Sequence, residues 1–178
     1  MSNYQFEAMH PFPDGNGRVG RLLMTLFLCA ENYLAYPVLY LSEFFERHRD
    51  EYYRRLLAVS QKGEWHEWIE FFLRGIAIQA KAGSNLANTI ISLQKEYRSL
   101  LGTKRIPEAA VRLIDSIFQN PIISPSKLST QWNLTFPSVM SGIERLIKLG
   151  ILEEMTGQKR NRLYCARKII NLLIQRPE

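Results

Sequence analysis

Over its first hundred or so residues the sequence never alternates apolar and polar side chains with period two for any useful length. That excludes half-buried strands there and leaves helices as the means of burying its apolar residues. Apolar residues at 19, 22, 23, 26, 27 and 30 recur at helical spacing and predict a helix from about Gly17 to Asn32. Pro37 prevents its continuation, and VLYL at 38–41 reads as short and irregular. Ser42 offers an N-cap, with Glu43 and Glu46 near the positive helix end, so SEFFERHRDEYYRRLLAVSQ is expected to form one helix that Gly63 terminates. EWHEWIEFFLRGIAIQAKAG and SNLANTIISLQKEYRSLLG follow as two helices, or as one long helix interrupted near Gly83. This part of the chain is expected to be a helical bundle.

The remainder has a different pattern. Pro107 opens a helix over PEAAVRLIDSIFQ, Ser124-Pro125 a short one over SPSKLSTQW, and Thr135 with Pro137 a third over FPSVMSGIERLIKLG, which Gly150 closes. ILEEM and RLYCA read as two short strands around the turn TGQKRN, before a last helix, KIINLLIQ. Three helices followed by a basic two-stranded ribbon is winged helix-turn-helix order. The helix from Thr135 would then be the recognition helix, with Lys159, Arg160 and Arg162 on the wing as DNA-binding candidates. The expected fold is mainly α, a bundle over residues 1–103 followed by a small α+β domain over 104–178, parted near Gly102-Thr103-Lys104.

The charge divides at the same place. Residues 1–103 carry 11 Lys and Arg against 11 Asp and Glu, whereas residues 104–178 carry 12 against 6, so the whole net charge of +6 lies in the second part. Such asymmetry suggests an anionic partner for that part, although a small basic domain is also simply soluble. Two cysteines, Cys29 and Cys165, make no disulfide framework and suggest a reducing compartment. With no apolar run long enough for a membrane span and no signal peptide, the expected setting is cytoplasmic.

The segment HPFPDGNGRVGR at 10–21 is too polar and too rich in glycine to be core. Gly15, Gly17 and Gly20 spell GxGxxG, but no strand precedes them, so the dinucleotide reading fails, and no Lys-Ser/Thr pair follows to make a P-loop. A glycine-rich loop entering a helix still presents free backbone N–H groups and the positive end of the helix dipole to an anion. Arg18 and Arg21 are three apart on one helix face and could clamp two phosphates. Asp14 beside an anion site calls for a divalent cation between them, and Mg²⁺ commonly joins one carboxylate to phosphate oxygens. His10 adds the side chain best suited to accept a proton near neutral pH. Base, metal ligand and phosphate cradle together describe a nucleotidyl or phosphoryl transfer centre, whereas the bland reading is a capped helix with surface salt bridges.

HPFPDGNGR followed by Arg21 resembles the Fic motif, HxFx(D/E)GNGRxxR, at every fixed position. The resemblance extends through LYLSEFFERHRDEYYRRLLAVSQKGEWHEWIEFFLRG, and a C-terminal winged helix is a common appendage in bacterial members. It implies transfer of AMP from ATP, with Mg²⁺, to a Ser, Thr or Tyr hydroxyl of a target protein. By the same resemblance His10 is the general base, Phe12 the apolar anchor of the loop and Asp14 the Mg²⁺ ligand. Gly15, Asn16 and Gly17 form the anion hole, Arg18 and Arg21 the cationic clamp, and Tyr52 lines the nucleotide pocket. Where some members carry a pocket asparagine, this chain has Ser60. His48 and His66 match no motif and read as surface helix residues.

Family members place several helices and a β-hairpin flap before the motif, whereas here His10 is the tenth residue. The chain therefore resembles the C-terminal part of a Fic core and is expected to transfer AMP poorly by itself. The family's inhibitory helix, (S/T)xxxE(G/N), is not matched: Ser42 to Glu46 and Ser92 to Glu96 have the spacing, but Arg47 and Tyr97 follow. A homodimer or a separate inhibitory partner stays open. Two other functions are also compatible with the residues: a Fic-like phosphotransferase, and a truncated Fic protein whose working part is a winged helix that binds duplex DNA or docks a protein.

Overall fold

The computed structural model describes residues 2–102, 107–158 and 160–174. The described residues are mainly helical. The order is α1 (Ser2–Met9), α2 (Asn16–Ala30), α3 (Leu41–Arg47), α4 (Arg49–Lys62), α5 (Trp65–Leu101), α6 (Glu108–Gln119), β1 (Ile122–Ile123), α7 (Pro125–Trp132), α8 (Phe136–Lys148), β2 (Glu153–Glu154), β3 (Tyr164–Cys165) and α9 (Arg167–Ile174). Two compact units result, Met1–Asn85 and Leu86–Glu178. They part within α5, not at 102–104 where the sequence suggests a boundary. Leu93, Tyr97 and Leu101 of α5 belong to the core that α6 and α8 build, so the last turns of that helix serve the second unit.

The first unit is organised by aromatic rings. Phe44, Phe45, Tyr52, Trp68 and Phe71 are all buried, with Phe44 and Phe71 centroids 5.2 Å apart and Phe45 and Tyr52 5.0 Å apart. The single helix expected over 42–61 is broken at His48, where the backbone turns to φ −113° and ψ 37°. The His48 ring lies 4.3 Å from that of Phe44, and its Nδ1 is 2.9 Å from the Phe44 carbonyl oxygen.

Helix α2 also departs from expectation. Its buried residues are Asn16, Gly20, Met24 and Thr25, whereas Leu22, Leu23, Leu26 and Phe27 are exposed. The helix is oriented by its polar start, where Asn16 is held, and by the Thr25 hydroxyl, which donates to the Leu39 carbonyl at 3.2 Å. The apolar stripe that reveals the helix in the sequence is therefore not the face it buries.

In the second unit β3 lies between β1 and β2, antiparallel to both, with Cys165 opposite Ile122 and Glu153, and Tyr164 opposite Ile123 and Glu154. Thr135 caps α8 by accepting the Ser138 N–H at 3.4 Å, and Pro137 sits in its first turn, where no intrahelical N–H is required. Leu113, Ile114 and Ile117 of α6 meet Val139, Ile143 and Leu146 of α8 in a fully buried core. No described helix is long and apolar enough to cross a membrane.

Candidate active site

The segment 10–21 forms a turn that connects α1 to α2, and each half of it is fixed by a different device. His10 is the residue after α1 and has a left-handed backbone, φ 45°, with its N–H donating to the Phe6 carbonyl at 3.1 Å. Helices often end this way, but with glycine or asparagine in that position. A histidine there accepts steric strain that a cap alone does not call for, and its ring is exposed.

Asn16 fixes the other half. It is 1% exposed, its Oδ1 accepts the Phe12 N–H at 2.9 Å, and its Nδ2 donates to the Phe12 carbonyl at 2.6 Å. The side chain is thus committed to the loop backbone, and what Asn16 can offer an anion is its own N–H. Phe12 differs correspondingly from the anchor expected of it. Its ring is half-exposed, 6.2 Å from that of Phe6, and the loop is pinned through its peptide groups, not through its side chain. Asn16→Asp is expected to destabilise the first unit by about 1–3 kcal/mol, because a second carboxylate oxygen would then face the Phe12 carbonyl oxygen. Thermal melting and the rate of proteolytic cleavage within 11–15 check this; an unchanged melt with unchanged cleavage would contradict it.

Gly15 precedes α2 with φ 81°, and its N–H donates to Asp14 Oδ1 at 2.6 Å. Arg18 and Val19 both donate to the Gly15 carbonyl at 3.0 Å. Among the described residues the N–H groups of Asn16 and Gly17 have no acceptor, as is usual in the first turn of a helix, and the positive end of the helix dipole lies there. Asp14 is exposed, and its second oxygen has no described partner. One open carboxylate oxygen beside free N–H donors suits Mg²⁺ held jointly with phosphate. Accordingly, no cluster of three or more metal-ligating side chains occurs among the described residues.

Arg18 is exposed, whereas Arg21 lies back over the helix start. A Cβ on Gly17 would stand 3.2 Å from Arg21 Nη1 and 3.9 Å from Glu7 Oε1. The Nε of Arg21 is buried and has no hydrogen-bond partner. Tyr52, expected to line a pocket, is 2% exposed; its hydroxyl donates to Glu7 Oε1 at 3.3 Å. Burial first, and then the Glu7 charge, push its phenol well above the ordinary range, so it remains a donor. Tyr52 therefore reaches the loop from behind, through Glu7.

Two residues that the sequence did not single out take part. Glu7 sits between Tyr52 and the start of α2, and Tyr4 ties α1 down, with its hydroxyl 2.9 Å from Ser60 Oγ and its ring 5.0 Å from Trp65. Glu7 stands three residues before His10, but nothing in its spacing distinguishes it. Among the other candidates, Arg160 and Arg162 lie in the second unit and are exposed, and Lys159 lies outside the described residues.

Comparison with known proteins agrees with this segment. A family model described as Fic/DOC family matches residues 1–28. The chain is 32% identical over 100 residues to the protein adenylyltransferase Fic of Aedes aegypti and, to the same extent, to that of Culex quinquefasciatus. The matched stretch takes in 54% of this chain and 19% of each relative; the chain thus spans only a small part of the length of these relatives. The segment matched by the Fic/DOC family model holds the whole glycine-rich turn between α1 and α2.

Proposed function

We propose that this protein serves AMP transfer from ATP to a hydroxyl side chain of another protein, at the turn between α1 and α2. The observation that carries the reading is the pair of unpartnered N–H groups of Asn16 and Gly17 at the start of α2, beside the exposed Asp14 whose second oxygen has no described partner. The names of the two relatives point to the same chemistry for those proteins.

In this reading the phosphates of ATP accept from the N–H groups of Asn16 and Gly17, and Arg18 and Arg21 offset their charge. Gly15 permits the left-handed entry into the first turn of α2. Asp14 would hold Mg²⁺, which supplies further charge neutralisation on the phosphates. His10 takes the proton of the incoming hydroxyl. The oxygen of that hydroxyl forms a bond to the α-phosphorus, the bond from the α-phosphorus to the bridging oxygen breaks, and pyrophosphate leaves with its charge held by the arginines. Tyr52 holds α1 through Glu7, whose carboxylate lies close to the start of α2.

The division of labour follows the charge, with chemistry in residues 1–103 and an anionic partner for residues 104–178. The order of α6, β1, α7, α8, β2 and β3 supports a winged helix-turn-helix reading of the second unit.

Incubation with protein acceptors and ATP labelled at either the α- or the γ-phosphorus tests the reaction. Only the α-label is expected to remain on protein. Retention of the γ-label would mean phosphate transfer, and failure to retain either label would reject the transferase reading for this chain.

A further inference from the structure

The second unit contains a cavity of about 360 Å³ where the starts of α7 and α8 meet the turn between β2 and β3. One wall is apolar, made by Pro125, Phe136 and Met140; the other is polar, made by Arg160, Asn161 and Arg162. Phe136 is 49% exposed, although Val139, Ile143 and Leu146 of the same helix are fully buried. A lone exposed aromatic needs no explanation, but one that shares a concavity with a proline, a methionine and two arginines does.

Both cations are exposed. Arg160 forms no ion pair with a described residue. Arg162 donates from Nε to the Gln158 carbonyl at 2.8 Å, lies 3.7 Å from Glu154 and hydrogen-bonds to Tyr164. Those contacts fix its guanidinium in the polar wall, beside Arg160. The residues from 104 onward carry 12 cationic against 6 anionic side chains, so the surroundings favour an anionic occupant.

The composition of α8 favours a protein over a nucleic acid. Bidentate reading of purine edges draws on Arg, Lys, Asn or Gln on the exposed side of the inserted helix. The exposed residues in the first turns of α8 are instead Phe136, Pro137, Ser138 and Ser141, with Met140 half-buried beside them. Cations appear only in the last turn, at Arg145 and Lys148. An apolar surface beside two arginines complements a peptide that carries a large apolar side chain next to carboxylates. The volume suits one such side chain and its neighbours.

We infer that this cavity is the docking site for an acidic segment of a protein partner. A large aliphatic or aromatic side chain packs on Phe136 and Met140, and adjacent carboxylates pair with Arg160 and Arg162.

The test is selection of a displayed library of random heptapeptides on the full chain, set against Phe136→Ser and Arg160→Glu. Both positions are exposed, so both variants are expected to melt as the wild type does. Selected peptides should be enriched in Asp or Glu next to Phe, Trp or Leu. A synthetic peptide of the enriched sequence should bind about tenfold or more weakly to each variant, and more weakly to the wild type as salt rises. No enrichment, or enrichment of peptides without acids, would overturn the assignment. So would a random-sequence DNA duplex that displaces the selected peptide and binds Phe136→Ser as well as it binds the wild type.

Discussion

His10→Asn is expected to lower transfer of α-label from ATP to protein by about 10²–10⁴-fold, the usual range for losing a general base, with little change in melting temperature. The choice of asparagine follows from the backbone. At φ 45° most side chains are strained, whereas asparagine enters the left-handed region readily. The loop should therefore keep its course and lose only the imidazole. His10→Ala would mix two effects, because alanine keeps the steric strain and lacks a polar side chain to relieve it. Affinity for ATP and Mg²⁺ should be unchanged in His10→Asn, since the proposed function assigns the phosphates to Asn16, Gly17 and the arginines. Equal transfer by wild type and variant would remove His10 from the reaction.

Gly142→Ala is expected to destabilise the second unit by about 1–3 kcal/mol, towards the upper end of what overpacking a core does. A Cβ at that position would stand 2.9 Å from the Ala110 nitrogen, and 3.0 Å from both the Ala109 carbonyl carbon and the Ala109 Cβ. Those atoms are backbone or fixed to it, so no rotamer change relieves the contact, and α6 and α8 must move apart. The gain in helix propensity from alanine, about 1 kcal/mol, does not restore the packing of Leu113, Ile114 and Ile117 against Val139, Ile143 and Leu146. Gly83→Ala is the matched control. It lies in α5 with nothing within 4 Å of the added Cβ, so there the propensity gain alone should appear. Differential scanning calorimetry separates the cases; a Gly142→Ala protein as stable as Gly83→Ala would refute the close-packing argument.

What the sequence revealed and what it hid have a common physical basis. Helices α2, α6 and α8 were legible because each repeats apolar residues over several turns, and Thr135 and Pro137 mark the start of α8; α5 was legible as helix, but the break expected near Gly83 is absent from its single run Trp65–Leu101. Helix α1 is eight residues long, too short for periodicity to speak, and β1 is two residues long, defined only by its pairing with Tyr164 and Cys165. The break at His48 falls within a pattern that runs on as helix, so the sequence does not mark it. In the loop, the candidate residues stand consecutively from His10 to Arg21, so their types and order could be read directly. The division of their tasks could not. That Asn16 holds Phe12 by its peptide groups, and that Tyr52 meets Glu7 at the back of the site, are contacts across the fold. The exposed stripe of α2 makes the same point in reverse, since periodicity identified the helix but not the face it buries.

Within the described residues α1 is gripped by side chains from far along the chain. Its grips are Trp65 and Ser60 on Tyr4 and the phenol of Tyr52 on Glu7. The imidazole at its end is therefore aimed by rings far along the chain. Damage at Trp65 would imitate a chemical lesion, because turnover would fall although no reacting group had been altered. Slow amide exchange across Phe6 and His10 would be the sign of intact grips, and its loss should precede any melting of the aromatic centre.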